Sequence, residues 1–207
     1  MMHIANIVTF LAFWATGSAL VIPRIVTAFD VPMGTLPQIT PTIDTITIDL
    51  TNVDNAATKL IATLSNTDGD TVTGVLKSSL DIPSVISHTI GLQSANRQAM
   101  LDAKEIDSVF SPSDSASIVN KLKNDIYPHA QTALKLLGDA KTKNLLTTLA
   151  TTYAVLPYLN VVVGEYDTFS SELQQYLDAG SQADAKKVLD DIKNLLTTTI
   201  ATYTPTP

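Results

Sequence analysis

The stretch from Thr42 to Leu64 reads TIDTITIDLTNVDNAATKLIATL. Its first half, TIDTITID, would suit a strand, because β-branched residues lower helix propensity. Over the full length, however, Ile43, Ile46, Leu50, Val53, Ala57, Leu60 and Leu64 step 3-4-3-4-3-4. That spacing places every apolar residue on one face of a helix. The sustained stripe decides for a helix, ending near NTDGD at 66–70.

Upstream, residues 20–41 contain Pro23, Pro32, Pro37 and Pro41, which exclude a regular helix. This segment reads as an extended or disordered N-terminal arm. Before it stands MMHIANIVTFLAFWATGSAL, apolar and uncharged from Ile4 to Ala15, with small residues at Gly17 and Ala19. These features describe a secretory signal peptide cleaved after Ala19, although the segment before the apolar run lacks Lys and Arg. The run is too short for a comfortable membrane span. The expected organisation is a signal peptide at 1–19, an arm at 20–41, a helical domain at 42–203 and a short polar tail at 204–207. That polar end argues against a glycolipid-anchor signal.

Downstream, a short helix is expected over Val72–Leu80 and a longer one over 84–108, with Val85, Ile86, Ile90, Met100, Ala103 and Ile106 inward. SPSD at 111–114 starts another: Ser111 caps, Pro112 takes the first helical position and Asp114 favours the dipole. Pro128 should kink this helix after Asn124, and Gly138 should stop it. Further helices are expected over roughly 140–156, broken by Pro157; over the stripe Tyr166, Phe169, Leu173 and Tyr176, stopped by Gly180; and from SQAD at 181–184 to Tyr203. The fold class is therefore all-α, a single-domain bundle of about five to six amphipathic helices.

One phrase occurs twice. KNLLTTLATTY at 143–153 and KNLLTTTIATY at 193–203 agree at eight of eleven positions. The flanking residues do not match, so convergence explains the pair better than duplication. Both copies are expected on helices, with Leu inward and Thr on the boundary. Thr can occupy such half-buried positions because its hydroxyl bonds back to the preceding turn.

The chain has 207 residues, no Cys and a net charge of −7. That length suits one domain with a sizeable core and no disulfides. The acidic balance, with pI near 4.7, excludes non-specific nucleic-acid binding. After removal of the signal, no segment is expected to span a membrane.

Catalytic chemistry is hard to assemble. His3 leaves with the signal, and His88 and His129 lack metal-ligand spacing. There is no G-x-S-x-G elbow and no Gly-rich phosphate loop. DGD at 68–70 lacks the remaining positions of a calcium loop and reads as a turn. Asp190 and Asp191 are adjacent and point to different sides of a helix. The expectation is a protein without catalysis, metal or cofactor.

What remains is apolar surface. YAVLPYLNVVV, Tyr153–Val163, is uncharged and interrupted by Pro157. It reads as a buried helix end, or as one wall of an apolar cavity or adhesive face. A gap between kinked helices would accept an acyl chain. Candidate lining residues are Leu122, Ile126, Leu149, Val155, Leu156, Leu159, Val162, Phe169 and Leu173. Candidate head-group contacts are Tyr127, His129, Tyr153 and Tyr158.

Three segments carry a family resemblance: SDSASIVNKLKNDIYPHAQTALKLL (113–137), VVVGEYDTFSSELQQYL (161–177) and DAKKVLDDIKNLLTTTIATY (184–203). From about Asp44 to Tyr203 the chain resembles the fungal family of hydrophobic surface-binding protein A and cell-wall galactomannoproteins. The resemblance implies a secreted helical bundle that binds fatty acids or other lipids. Alternatively it adheres to hydrophobic solid surfaces and recruits a secreted hydrolase, or serves as a structural mannoprotein of the wall. The short polar end departs from relatives with a Ser/Thr-rich tail and lipid anchor, and no N-x-[ST] sequon is present.

Overall fold

A computed structural model of the protein describes residues 40–66, 75–146 and 155–204. The proposed signal peptide, most of the arm, and the candidates Leu149 and Tyr153 lie outside them. The described residues belong to one compact unit. They are all-helical, with one isolated antiparallel bridge between Ser65 and Leu76. The chain has no cysteine and hence no disulfides.

Helix α1, Ile43–Leu64, settles the opening ambiguity. Thr42 and Thr45 form a reciprocal cap, each hydroxyl accepting from the other's backbone N–H at 3.4 and 3.3 Å. Ile46, Leu50, Ala57, Leu60 and Leu64 are buried as the stripe requires, and Ile43 and Val53 pack at its edge. The expected helix at 72–80 is absent over residues 75–80. Lys77 instead donates to the Ala62 and Thr63 carbonyls at 2.8 and 3.0 Å, closing the end of α1.

Helix α2, Ile82–Ala103, buries Val85, Thr89, Leu92, Gln93, Asn96, Ala99 and Ala103. Ile86, Ile90 and Met100, expected inward, are only half-buried. Three polar residues on the buried face hid its period.

Helix α3, Pro112–Lys121, starts as expected, with Ser111 accepting from the Asp114 N–H at 3.2 Å. A π-helical turn at Leu122–Ile126 joins it to α4, Tyr127–Thr142. The kink expected near Asn124 takes this form. The Tyr127 N–H reaches the Leu122 carbonyl five residues back, and Pro128 follows, with no N–H to satisfy. Gly138 does not stop α4. A Cβ there would stand in ordinary contact, 3.9 Å, with the Thr202 hydroxyl.

The helix expected over 140–156 is not formed at its start, because α4 ends at Thr142 and Asn144 turns left-handed at φ 55°. Residues 147–154 lie outside the described set. Pro157 lies in the first turn of helix α5, Leu156–Tyr176, and Val155 before it is π-helical. Helix α6, Ala179–Tyr203, begins slightly before SQAD. Asp178 caps it by accepting from the Gly180 N–H at 2.9 Å, so Gly180 belongs to the first turn of α6.

The α3–π–α4 segment forms one bent rod, giving five rods among the described residues. Helix α1 packs between α2 and α4, α4 packs on α6, α6 on α5, and α5 on α2. The rods thus close a ring. Its middle is filled by one continuous apolar cluster drawn from all five.

Candidate functional site

The ring interior is where the sequence candidates meet. Leu122 and Ile126 enter it from the π turn, and Val155, Leu159, Val162, Phe169 and Leu173 enter it from the N-terminal end and length of α5; all seven are buried in one cluster. Leu156 and Tyr127 are partly buried against it. Tyr158 is half-buried in the first turn of α5. His129 is tied to a neighbouring rod, with its Nδ1 2.7 Å from Asp54 Oδ1 on α1.

The seams between rods differ in chemistry. Along α4–α6, Leu134, Leu137, Leu196 and Tyr203 are buried, and the Tyr203 hydroxyl donates to the Leu137 carbonyl at 2.9 Å. Between α5 and α6, the Tyr166 hydroxyl donates to the Leu189 carbonyl at 3.2 Å. Burial raises the pKa of both phenols, helped at Tyr166 by the charges of Asp190 and Asp167, so both remain neutral donors.

Helix α2 is held by polar contacts. Gln93 Nε2 donates to both Glu165 oxygens at 3.0 and 2.9 Å, with Arg97 Nε 3.8 Å from the same carboxylate. Asn96 Nδ2 donates to the Val162 carbonyl at 3.4 Å. On the α1 side, Thr63 Oγ1 and His88 Nδ1 are 2.7 Å apart.

Towards the other end of that seam, Asp49 of α1 meets Asp102 of α2. Asp49 is 4% exposed, and its Oδ2 has no hydrogen-bond partner among the described residues. Gln98 Nε2 donates to Asp102 Oδ2 at 2.9 Å. Burial, then hydrogen bonding to Asp102 and its charge, raise the pKa of Asp49 from 3.8 to about 7. The folded pKa exceeds the unfolded one, so folding binds a proton between these values. The contribution of Asp49 to stability therefore falls as pH rises from about 4 through 7.

Sequence reasoning missed Asp49, Asp102, Gln93 and Asn96. The signal for Asp49 was present: it lies three residues after Ile46, on the apolar stripe. Two open grooves were also missed. One, of about 580 Å³, is lined by Lys59, Thr63, Lys77, Asp81, Ser84 and His88. The other, of about 530 Å³, runs between α4 and α6 past Tyr127, Leu134, Gly138, Leu195 and Thr202. Among the described residues no helix is long and apolar enough to cross a membrane.

The chain matches no protein-family model and no curated protein. Its fold is shared with solved structures. AFMP4P in complex with palmitic acid aligns with TM-score 0.63 and 23% identity, over 79% of this chain and 100% of that one. Ligand-binding domain 1 of the Penicillium marneffei MP1 protein, complexed with arachidonic acids, aligns with TM-score 0.65 and 12% identity over 79% and 100%. Ligand-binding domain 2 of the same protein, complexed with multiple arachidonic acids, aligns with TM-score 0.67 and 11% identity over 82% and 100%. At identities of 11–23% the likeness is one of fold.

Proposed function

We propose that this protein holds the hydrocarbon tail of a lipid inside its five-rod ring, and acts by carriage or sequestration without catalysis. The observation that supports this best is the closed ring around a continuous apolar cluster. The fold it shares with fatty-acid-complexed domains points the same way.

Each buried methylene of a tail contributes about 0.8 kcal/mol. A long chain gains on the order of 10 kcal/mol gross, before association and ordering costs. To admit it, two rods must separate. At the α2–α5 seam, the bonds from Gln93 and Asn96 can be exchanged for bonds to water. The tail then lies against Leu122, Ile126, Leu159 and Phe169, with Tyr127, His129 and Tyr158 as polar contacts. Residues 1–19 direct secretion in this reading, and a secreted form beginning at Leu20 is its expected N-terminus.

The test is a titration of the full chain with palmitic and arachidonic acids, alongside mass spectrometry of a solvent extract of natively purified protein. Saturable binding near one site, with a negative heat-capacity change, is expected. A lipid-free extract combined with no saturable uptake would overturn the proposal.

A further inference from the structure

Several half-buried acids among the described residues have a donor or cationic partner. Glu165 has Gln93 and Arg97, and Asp54 has His129. Asp49 has another carboxyl, Asp102, whose own donor is the neutral Gln98. None of the ion pairs among the described residues includes Asp49 or Asp102. Two acids face each other across the α1–α2 seam, and one of their oxygens is buried without a donor. An unpaired buried acceptor is costly, and a facing pair of carboxyls favours a proton or a cation between them.

The position is also right for a head group. Asp49 lies on the apolar stripe of α1 beside buried Ile46 and Leu50, whose side chains belong to the ring interior. Facing elements bring small residues near this level, Ala99 and Ala103 on α2. On α4, His129 is bonded to Asp54 further along α1.

From the acid pair and its orphaned oxygen, we propose that the ring selects amphiphiles whose head group donates hydrogen bonds, an alkylammonium or an alkyl alcohol, over those ending in a carboxylate. The head group donates to Asp49 Oδ2, and an ammonium also neutralises the pair. A third carboxylate placed there meets like charge and no donor. This inference rests on the proposed lipid-holding ring and adds its head-group specificity.

The probes are dodecylamine, 1-dodecanol and dodecanoic acid, offered to the full chain together at equal concentration at pH 7.5 and counted by native mass spectrometry. The tail is constant, so only the head group varies. The amine or the alcohol is expected to occupy at least tenfold more protein than the acid; dominance of the amine identifies charge neutralisation, and parity of amine with alcohol identifies hydrogen bonding alone. Asp49→Asn should cut that preference at least tenfold, because the amide removes the charge and supplies its own donor. Its folding is checked independently: the variant should lose the decline in thermal midpoint between pH 4 and 7. If Asp49→Asn fails to fold, Asp102→Asn takes its place with the same expectation. Equal occupancy by all three probes, preference for the acid, or a ratio unmoved by the substitutions would overturn the inference while leaving the lipid-holding ring intact. Uptake of none of the probes, nor of palmitic acid, would instead overturn the ring as a lipid site.

Discussion

The same four residues, Lys-Asn-Leu-Leu, do opposite things at 143–146 and at 193–196. In the second copy they lie inside α6, and the helix continues to Tyr203. In the first they end α4. Asn144 adopts φ 55°, the Leu145 N–H bonds to the Ala140 carbonyl at 2.9 Å, and the Asn144 N–H bonds to the Lys141 carbonyl at 3.0 Å. Those two bonds satisfy carbonyls at a helix end in the Schellman pattern. Asparagine permits both outcomes, because it enters the left-handed region more readily than most residues and is tolerated in helices. The four residues are thus indifferent, and their surroundings choose. In α6 the stripe of Ile192, Leu196, Thr199 and Tyr203 has partners on α4 that reward another two turns of helix.

Substitutions can test that account. The largest effect is expected from Leu196→Ala, which removes a buried side chain from α6 and should cost about 2–5 kcal/mol in denaturant unfolding. Leu195→Ala, at the edge of the core, should cost less than half as much. Equal losses would mean the second copy is not buried on one face. Next comes Asn144→Val, a β-branched residue forced left-handed, which should cost about 1–2 kcal/mol. Asn194→Val in the helix should stay within a few tenths; similar losses at both sites would refute the difference in backbone conformation.

Tyr203→Phe removes the bond that ties the end of the second copy to α4, and should lower stability by about 1 kcal/mol. An unchanged melting temperature would show that this contact only follows the helix and does not hold it. The smallest pair is the most pointed. Asn144→Gly should raise the melting temperature slightly or leave it unchanged, and Asn194→Gly should lower it by the equivalent of a few tenths of a kcal/mol. The same exchange in the same phrase would then carry opposite signs.

The comparison also shows how far local reading extends. Helix α1 was legible because seven apolar positions held one period over 22 residues. The start of α3 was legible because Ser111 and Pro112 are local signals whose partners lie within one turn. Helix α2 was blurred because Gln93 and Asn96 are buried through bonds to Glu165 and Val162, 72 and 66 positions away, and Thr89 through a bond to the Val85 carbonyl of its own helix. The apolar half of the candidate site, Leu122 and Ile126 with the α5 residues, was found because its members lie on strong stripes. The acid pair was not found, because a lone Asp on a stripe looks like an interruption until a second Asp arrives from another helix.

By itself the sequence determined the all-helical class, the absence of disulfides, the apolar faces, and the places where proline and capping side chains start or bend a helix. These depend on contacts within a turn or two of chain, and such contacts are the same in any fold. The tertiary structure decided that the rods close into a ring, that Lys-Asn-Leu-Leu turns at 144 and runs on at 194, and that Asp49 faces Asp102. Those outcomes depend on which surfaces meet. Packing and desolvation between residues tens of positions apart outweigh the tenths of a kcal/mol by which local preference separates one conformation from another.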